Sequence, residues 1–210
     1  MADSQTSAQT ATSAEIADPG PLGLAGFAAT TLVLSVTNAG LVDASVALAV
    51  LPLAMFYGGL AQFLAGMWEF RKGNTFGATA FPTYGAFWMA FAFYAWFFQD
   101  KIPAQFVGEA TGMFLLVFAL VTGYLSVAAM RTSGAVLIVF VALTLTYVFL
   151  CIGAFAGSKG LDHVGGWIGI VTAILAFYAS FAVVTNATWK RTVLPVFPLT
   201  PTVPTLPSGV

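Results

Sequence analysis

Six stretches of this chain contain no Asp, Glu, Lys or Arg, and each is long enough to cross a bilayer. They are Pro19–Val42, Ala44–Trp68, Gly73–Gln99, Ala110–Met130, Thr132–Ser158 and His163–Trp189. A helix needs about 20 residues to span a hydrocarbon core roughly 30 Å thick. The runs are uniformly apolar and do not alternate in segments of about 10 residues, as barrel strands would. In lipid every backbone donor and acceptor must be satisfied within the chain, which uninterrupted helices achieve. The expected fold is an all-α membrane protein with six transmembrane helices joined by short loops. Charged residues make up 7% of the chain, against about 25% in a soluble domain. Such a surface cannot be water-facing throughout, so lipid must be the solvent.

The ends are of different character. Residues 1–17 are rich in Ala, Ser and Thr, lack apolar periodicity and read as a disordered tail. They have neither the basic start nor the apolar centre of a signal peptide. Residues 18–195 form the six-helix domain. Residues 196–210 continue a proline repeat at 195, 198, 201, 204 and 207; a period of three fits polyproline II and an extended tail. With both termini cytoplasmic, Arg71, Lys72, Arg131, Lys190 and Arg191 fall inside and only Lys101 and Lys159 outside. That asymmetry follows the positive-inside rule and makes the chain a multi-pass protein of the cell membrane.

The chemistry that can be excluded is extensive. One His (His163) and one Cys (Cys151) leave no metal cluster, and Cys151 reads as a packing residue with no disulfide partner. There is no nucleophile elbow, phosphate loop or dinucleotide fingerprint. No Lys lies deep in a span to hold retinal, and no chain of buried carboxylates suggests a proton pump. Net charge near zero argues against nucleic acid. The chain reads as no enzyme, with no cofactor and no metal.

What polarity the spans contain is uncharged. The first run opens on Asp18-Pro19-Gly20-Pro21-Leu22-Gly23-Leu24, where two prolines remove backbone donors at the helix start; alone, this is an ordinary proline-capped start. Thr30, Thr31 and Asn38 follow. In the second run Pro52 is expected to kink the helix, and Gln62 lies about 10 Å in from Glu69. Small pairs at i,i+4, Gly108/Gly112, Gly153/Gly157 and Gly165/Gly169, suit close helix packing. Thr, Asn, Gln and Tyr among many Gly and Phe suit a small, weakly polar solute better than a bare ion.

The opening motif resembles the Asn-Pro-Ala-Pro-Leu-Gly-Leu signature of the acetate uptake transporter family, which holds bacterial succinate–acetate permeases and fungal acetate and ammonia-export relatives. Further blocks carry the same likeness: Thr37-Asn38-Ala-Gly40, Phe56-Tyr-Gly-Gly-Leu-Ala-Gln62, Ala65-Gly-Met-Trp-Glu-Phe70, Gly73-Asn-Thr-Phe-Gly-Ala-Thr-Ala-Phe81, Tyr84-Gly-Ala-Phe-Trp88, Gly165-Gly-Trp-Ile-Gly169 and Arg191-Thr-Val-Leu-Pro195. The resemblance covers about residues 18–195 and is most specific between Phe56 and Trp88.

The resemblance implies a homohexamer in which each protomer carries acetate and similar small monocarboxylates. It implies a hydrophobic constriction of Phe27, Tyr84 and Leu143, with Ala176 lining the path and bearing on the size of acid accepted. Gln62, Asn38 and Thr31 are further candidates for the lining, Gln62 and Asn38 as hydrogen-bonding groups beside the Tyr84 hydroxyl. The depths agree. With the N-terminus inside, Phe27, Tyr84 and Leu143 lie nine, twelve and twelve residues beyond Asp18, Lys72 and Arg131, or about 13 to 18 Å, near the bilayer midplane. Residues that merely pack the core would share that depth. Asp18 replaces the family's Asn and Gly20 its Ala, and an unpaired Asp18 would repel an anion at that mouth. Passage with a proton or as the neutral acid is one reading; a passive channel for small anions or ammonia is the alternative. Whether succinate is carried is open.

Overall fold

The computed structural model describes residues 16–200. The polar N-terminal tail up to residue 15 and the prolines at 201, 204 and 207 lie outside the described residues. Six long helical segments follow one another: α1 (Gly20–Asn38), α2 (Ala44–Lys72), α3 (Thr75–Phe97), α4 (Val107–Ala129), α5 (Gly134–Ala156) and α6 (Lys159–Trp189). Among the described residues there is no β-strand, only an isolated bridge between Ser133 and Pro198. By length and composition, five segments are apolar enough to cross a membrane: α1, α2, α5, α6 and the stretch Ala104–Ala129 that contains α4. α3 has 23 residues and no charge, but Thr, Pro and Tyr side chains dilute its apolar content.

Each helix packs against its sequence neighbour, and α6 returns to α1, so the six close a ring. The α3–α4 joint has few close backbone approaches. Aromatic side chains fill it instead: Phe87 meets Phe118 and Phe114 with ring centroids 4.7 and 5.4 Å apart, and Tyr94 stacks on Phe114 at 6.1 Å. The Tyr94 and Thr111 hydroxyls add a hydrogen bond of 3.2 Å. Outside the ring, large side chains such as Phe56, Leu120, Val127 and Phe181 are at least 60% exposed. An apolar exterior around a tighter interior is the arrangement a bilayer requires.

α2 is irregular on both sides of Pro52. Ala44–Ala49 is a 3₁₀ turn capped by Asp43, Val50–Met55 is α-helical, and Phe56–Ala61 is a π turn before the α-helix resumes. The main irregularity therefore lies beyond Pro52, at Gly58 and Gly59. A side chain on Gly59 would strike the Ala54 carbonyl five residues back, the carbonyl that a π turn brings in line. α1 crosses here: a Cβ on Gly26 would come within 2.5 Å of the Tyr57 carbonyl. The buried face of α2 then runs Ala54, Gly58, Gln62, in two steps of four residues, and on to Glu69.

α6 begins at Lys159, with Ser158 accepting from the Leu161 amide at 3.4 Å, so His163 sits inside its first turns. The small pairs divide in role. Gly108 faces the Ala154 backbone and Gly165 the Leu150 side chain, whereas Gly157 takes φ 58° and ends α5.

The start of the proline-rich tail is fixed to the helices. Asn186 accepts from the Val193 and Leu194 amides at 2.7 and 3.0 Å and donates to the Leu194 carbonyl at 2.8 Å. Phe197 turns back with φ 53°, a break in polyproline geometry, and its carbonyl accepts from the Gly134 amide at 2.7 Å. The Leu199 amide then donates to the Thr132 carbonyl at 3.0 Å. Asn186→Ala removes three of these bonds at once and is expected to cost about 1–3 kcal/mol locally. Hydrogen exchange at residues 193–199 checks this: those amides should exchange at least tenfold faster while the helices stay protected.

Candidate functional site

The ring interior holds two cavities that share lining residues. The larger, about 600 Å³, is lined by α1, α3, α4, α5 and the start of α2, and reaches the exposed Lys159 and His163 at the start of α6. The smaller holds only about 20 Å³ and is bounded by Leu24, Gln62, Tyr84 and Phe140 among others. Phe27 and Leu143 line both.

Helical periodicity sets this arrangement. On α1, Phe27, Thr31 and Ser35 follow at i,i+4 and share one face; all three line the larger cavity. On α3 the corresponding face carries Tyr84, Trp88 and Phe91, and on α5 Leu143 and Tyr147. The Phe27 and Tyr84 rings are 5.8 Å apart and tilted, and Tyr84 meets Phe140 edge-on at 5.9 Å. Phe27, Tyr84 and Leu143 are each at most 4% exposed. Three residues from three separate helices thus meet around the 20 Å³ space.

The Tyr84 hydroxyl is already engaged. It donates to Thr122 Oγ1 at 2.9 Å, and Thr122 in turn donates to the Phe118 carbonyl at 2.6 Å. This chain ties α3 to α4 and fixes the Tyr84 ring where it borders the smaller cavity.

The other residues singled out from the sequence are spread along the ring interior. Thr31 and Asn38 line the larger cavity, and Gln62 the smaller. Gln62 Oε1 and Thr31 Oγ1 are buried without a hydrogen-bond partner, as are Glu69 Oε2 and Trp88 Nε1. Ala176 is fully buried in the core and borders none of the described cavities. Of the opening motif, Leu24 borders the smaller cavity, Gly23 packs on the Phe81 ring, and the Pro21 carbonyl accepts from Ser180 Oγ at 2.7 Å. The structure adds Trp88, Phe140 and Thr122 to these residues. For Trp88 a signal was present, four residues beyond Tyr84 on the same helix; a lone Thr122 in an apolar run carries none.

Asp18 is paired. Its Oδ1 lies 2.9 Å from Lys72 Nζ and also accepts from the Gly20 amide at 2.9 Å, so its charge is balanced at that end of the bundle. Lys72 and Asp18 are 35% and 40% exposed, and such pairs contribute at most about 1 kcal/mol. Asp18→Asn keeps an oxygen for the Gly20 amide and is expected to lower thermal stability by less than about 1 kcal/mol. A melting curve of the purified variant checks this.

A ring of apolar helices around two cavities, separated by bulky side chains, is the build of a membrane channel or transporter. Residues 2–201 match the GPR1/FUN34/yaaH family, and the chain belongs to that family. It is 36% identical over 188 residues to the succinate-acetate/proton symporter SatP of Escherichia coli K12, covering 87% of this chain and 96% of SatP. It is 40% identical over 175 residues to the ammonia transport outward protein 2 of Saccharomyces cerevisiae, covering 80% of this chain and 61% of the relative; the chain thus spans about three fifths of that yeast protein. Acetate permease A of Emericella nidulans is 36% identical over 197 residues, covering 87% of this chain and 66% of its own length. The solved structure of the bacterial acetate channel SatP superposes with a TM-score of 0.81 at 34% identity, over 87% of this chain and 99% of that one. By name these relatives are transporters or channels.

Proposed function

We propose that this chain carries acetate and similar small monocarboxylates across the cell membrane, through a pathway in each protomer. All six helices span the bilayer in this reading, α3 included, with both termini cytoplasmic and the protomers assembled as a homohexamer. The carrying observation is that Phe27 and Leu143 border both cavities. A solute moving from one to the other must pass them and the Tyr84 ring.

The chemistry of that passage favours a neutral species. Acetate is ionised at pH 7, and the cavity wall between Phe27 and Leu143 has no Lys or Arg to balance it. The charged groups bordering the larger cavity, Lys159 and Asp162, sit at its mouth. Moving an unpaired anion through apolar surroundings is costly. Passage as acetic acid, or as the anion together with a proton, removes that cost. Gln62 and Asn38 offer hydrogen bonds on either side of the wall, while Phe27 and Leu143 contact the methyl group.

Labelled acetate uptake into proteoliposomes, with and without an imposed inward proton gradient, tests this. Protein-free liposomes give the leak of acetic acid through lipid. Protein-dependent accumulation above the acetate equilibrium under the gradient supports movement with a proton. Equilibration that ignores the gradient would point to an anion channel.

A further inference from the structure

One buried carboxyl group has no part in the transport reading so far. Glu69 is 1% exposed, and its Oε2 has no hydrogen-bond partner. Among the described residues it makes no ion pair; Lys72, the cation beside it, pairs with Asp18 at 2.9 Å. Two glycines make room for the group. A Cβ on Gly77 would lie 2.7 Å from Glu69 Cδ, and one on Gly20 would lie 3.5 Å from its Oε1. Gly77 stands four residues before Phe81 on α3, and Gly20 four residues before Leu24 on α1. Phe81 and Leu24 both line the smaller cavity. Residues four apart share a helix face, so the carboxyl lies about 6 Å beyond that cavity, one helical turn, on the side away from the Phe27–Leu143 wall. On α2 itself, Gln62 borders the same cavity two turns before Glu69. Three helices thus place Glu69 at the end of the narrow cavity. The charged groups facing it are Asp18, ahead of α1, and Lys72, on α2; α3 presents Asn74 and Gly77, which do not titrate.

We infer that Glu69 is the proton-transfer residue at the narrow end of the pathway, exchanging a proton with the carboxylic acid on its way to or from the wall. This rests on the transport reading above, in which the solute crosses the wall as a neutral acid, and adds the step at which it changes charge. Inward, the O–H bond of the acid breaks and an O–H bond forms on Glu69 Oε2. The solute leaves as the anion, drawn toward Lys72, and Glu69 then gives the proton to water beside the partly exposed Asp18–Lys72 pair. Outward, the steps reverse: protonated Glu69 gives its proton to the entering anion, which then crosses as the acid. Such a transfer needs contact or a single bridging water, and one helical turn leaves no more than that to span. Oε2, the oxygen without a partner, is the atom free to take the proton.

The test uses the full-length protein in proteoliposomes loaded with labelled acetate, with equal pH on both sides and protein-free liposomes for the leak. The neutral fraction of acetate falls about tenfold per pH unit, so a protein without the transfer step depends on a species that becomes scarce as pH rises. Glu69→Gln keeps the shape and cannot take the proton. It is expected to release acetate within twofold of the unaltered protein at pH 6 and at least tenfold more slowly at pH 8, and Glu69→Asp should recover much of the rate at pH 8. A folded Glu69→Gln protein with efflux within twofold at pH 8, or with the same loss at both pH values, as a structural role alone would give, overturns the inference and leaves the transport reading intact. If Glu69→Gln does not purify folded, infrared difference spectra on adding isotope-labelled acetate take its place. A side-chain carboxyl C=O band that changes in the unaltered protein and is displaced in Glu69→Asp is expected; no such change overturns the inference. An unaltered protein without protein-dependent efflux would overturn both.

Discussion

Phe27→Ala is expected to join the two cavities and admit longer acids. Phe27 borders both spaces and packs on Tyr84 with centroids 5.8 Å apart. Truncation removes the ring from the wall, leaving Leu143 and Tyr84 on its other sides. Uptake of butyrate relative to acetate should rise on the order of tenfold or more, a barrier change of about 1.4 kcal/mol. The fold should survive. A core Phe→Ala change costs about 3–5 kcal/mol, but this side chain already borders open space, which places the loss at the lower end. Competition of butyrate with labelled acetate checks the prediction. A Phe27→Ala protein that is folded, carries acetate and still excludes butyrate would remove Phe27 from the wall.

Gly85→Val should have a large effect on the fold itself. A Cβ there would lie 2.8 to 2.9 Å from the Phe63 amide nitrogen, the Gly59 carbonyl oxygen and the Phe63 Cα. All three are backbone atoms, so no neighbouring rotamer can relieve the contact. α2 and α3 would have to move apart, and that crossing sets Gln62 and Tyr84 beside the smaller cavity. Overpacking of this kind costs about 1–3 kcal/mol for added methylenes in a side-chain core. Against rigid backbone at least about 3 kcal/mol is expected, or roughly 6–12 °C in Tm for a chain of this size. Size-exclusion chromatography after heating checks it. Valine tolerated within 2 °C would mean that the crossing is looser than the structure shows.

The helices and the wall differ in how far the sequence discloses them. Charge-free runs locate all six helices because a span tolerates few charges; the observed bounds fall within a few residues of them, with α2, α4 and α6 running on past the uncharged stretch to include Lys72, Glu109 and Lys159. The meeting of Phe27, Tyr84 and Leu143 follows from family likeness together with depth, which counting residues from flanking charges supplies. Partnerships were less accessible. Nothing in the sequence says that Thr122 accepts a hydrogen bond from the Tyr84 hydroxyl or that Asp18 reaches Lys72, since both depend on how distant segments are brought together. The π turn in α2 lies beyond Pro52, the stronger local signal, at Gly58 and Gly59, where Thr30 and Met89 approach closely. Docking of residues 193–200 combines backbone hydrogen bonds with side-chain bonds from Asn186, Tyr178 and Thr200, residues whose spacing forms no recognisable pattern.

The central claim is that a small carboxylic acid crosses at the Phe27–Tyr84–Leu143 wall. Its most direct test is labelled acetate uptake into proteoliposomes, with rising unlabelled acetate as competitor and protein-free liposomes in parallel. Transport through a pathway in the protein predicts uptake that exceeds the lipid leak, saturates, and is displaced by unlabelled acetate. Uptake equal to that of protein-free liposomes at every acetate concentration would contradict it.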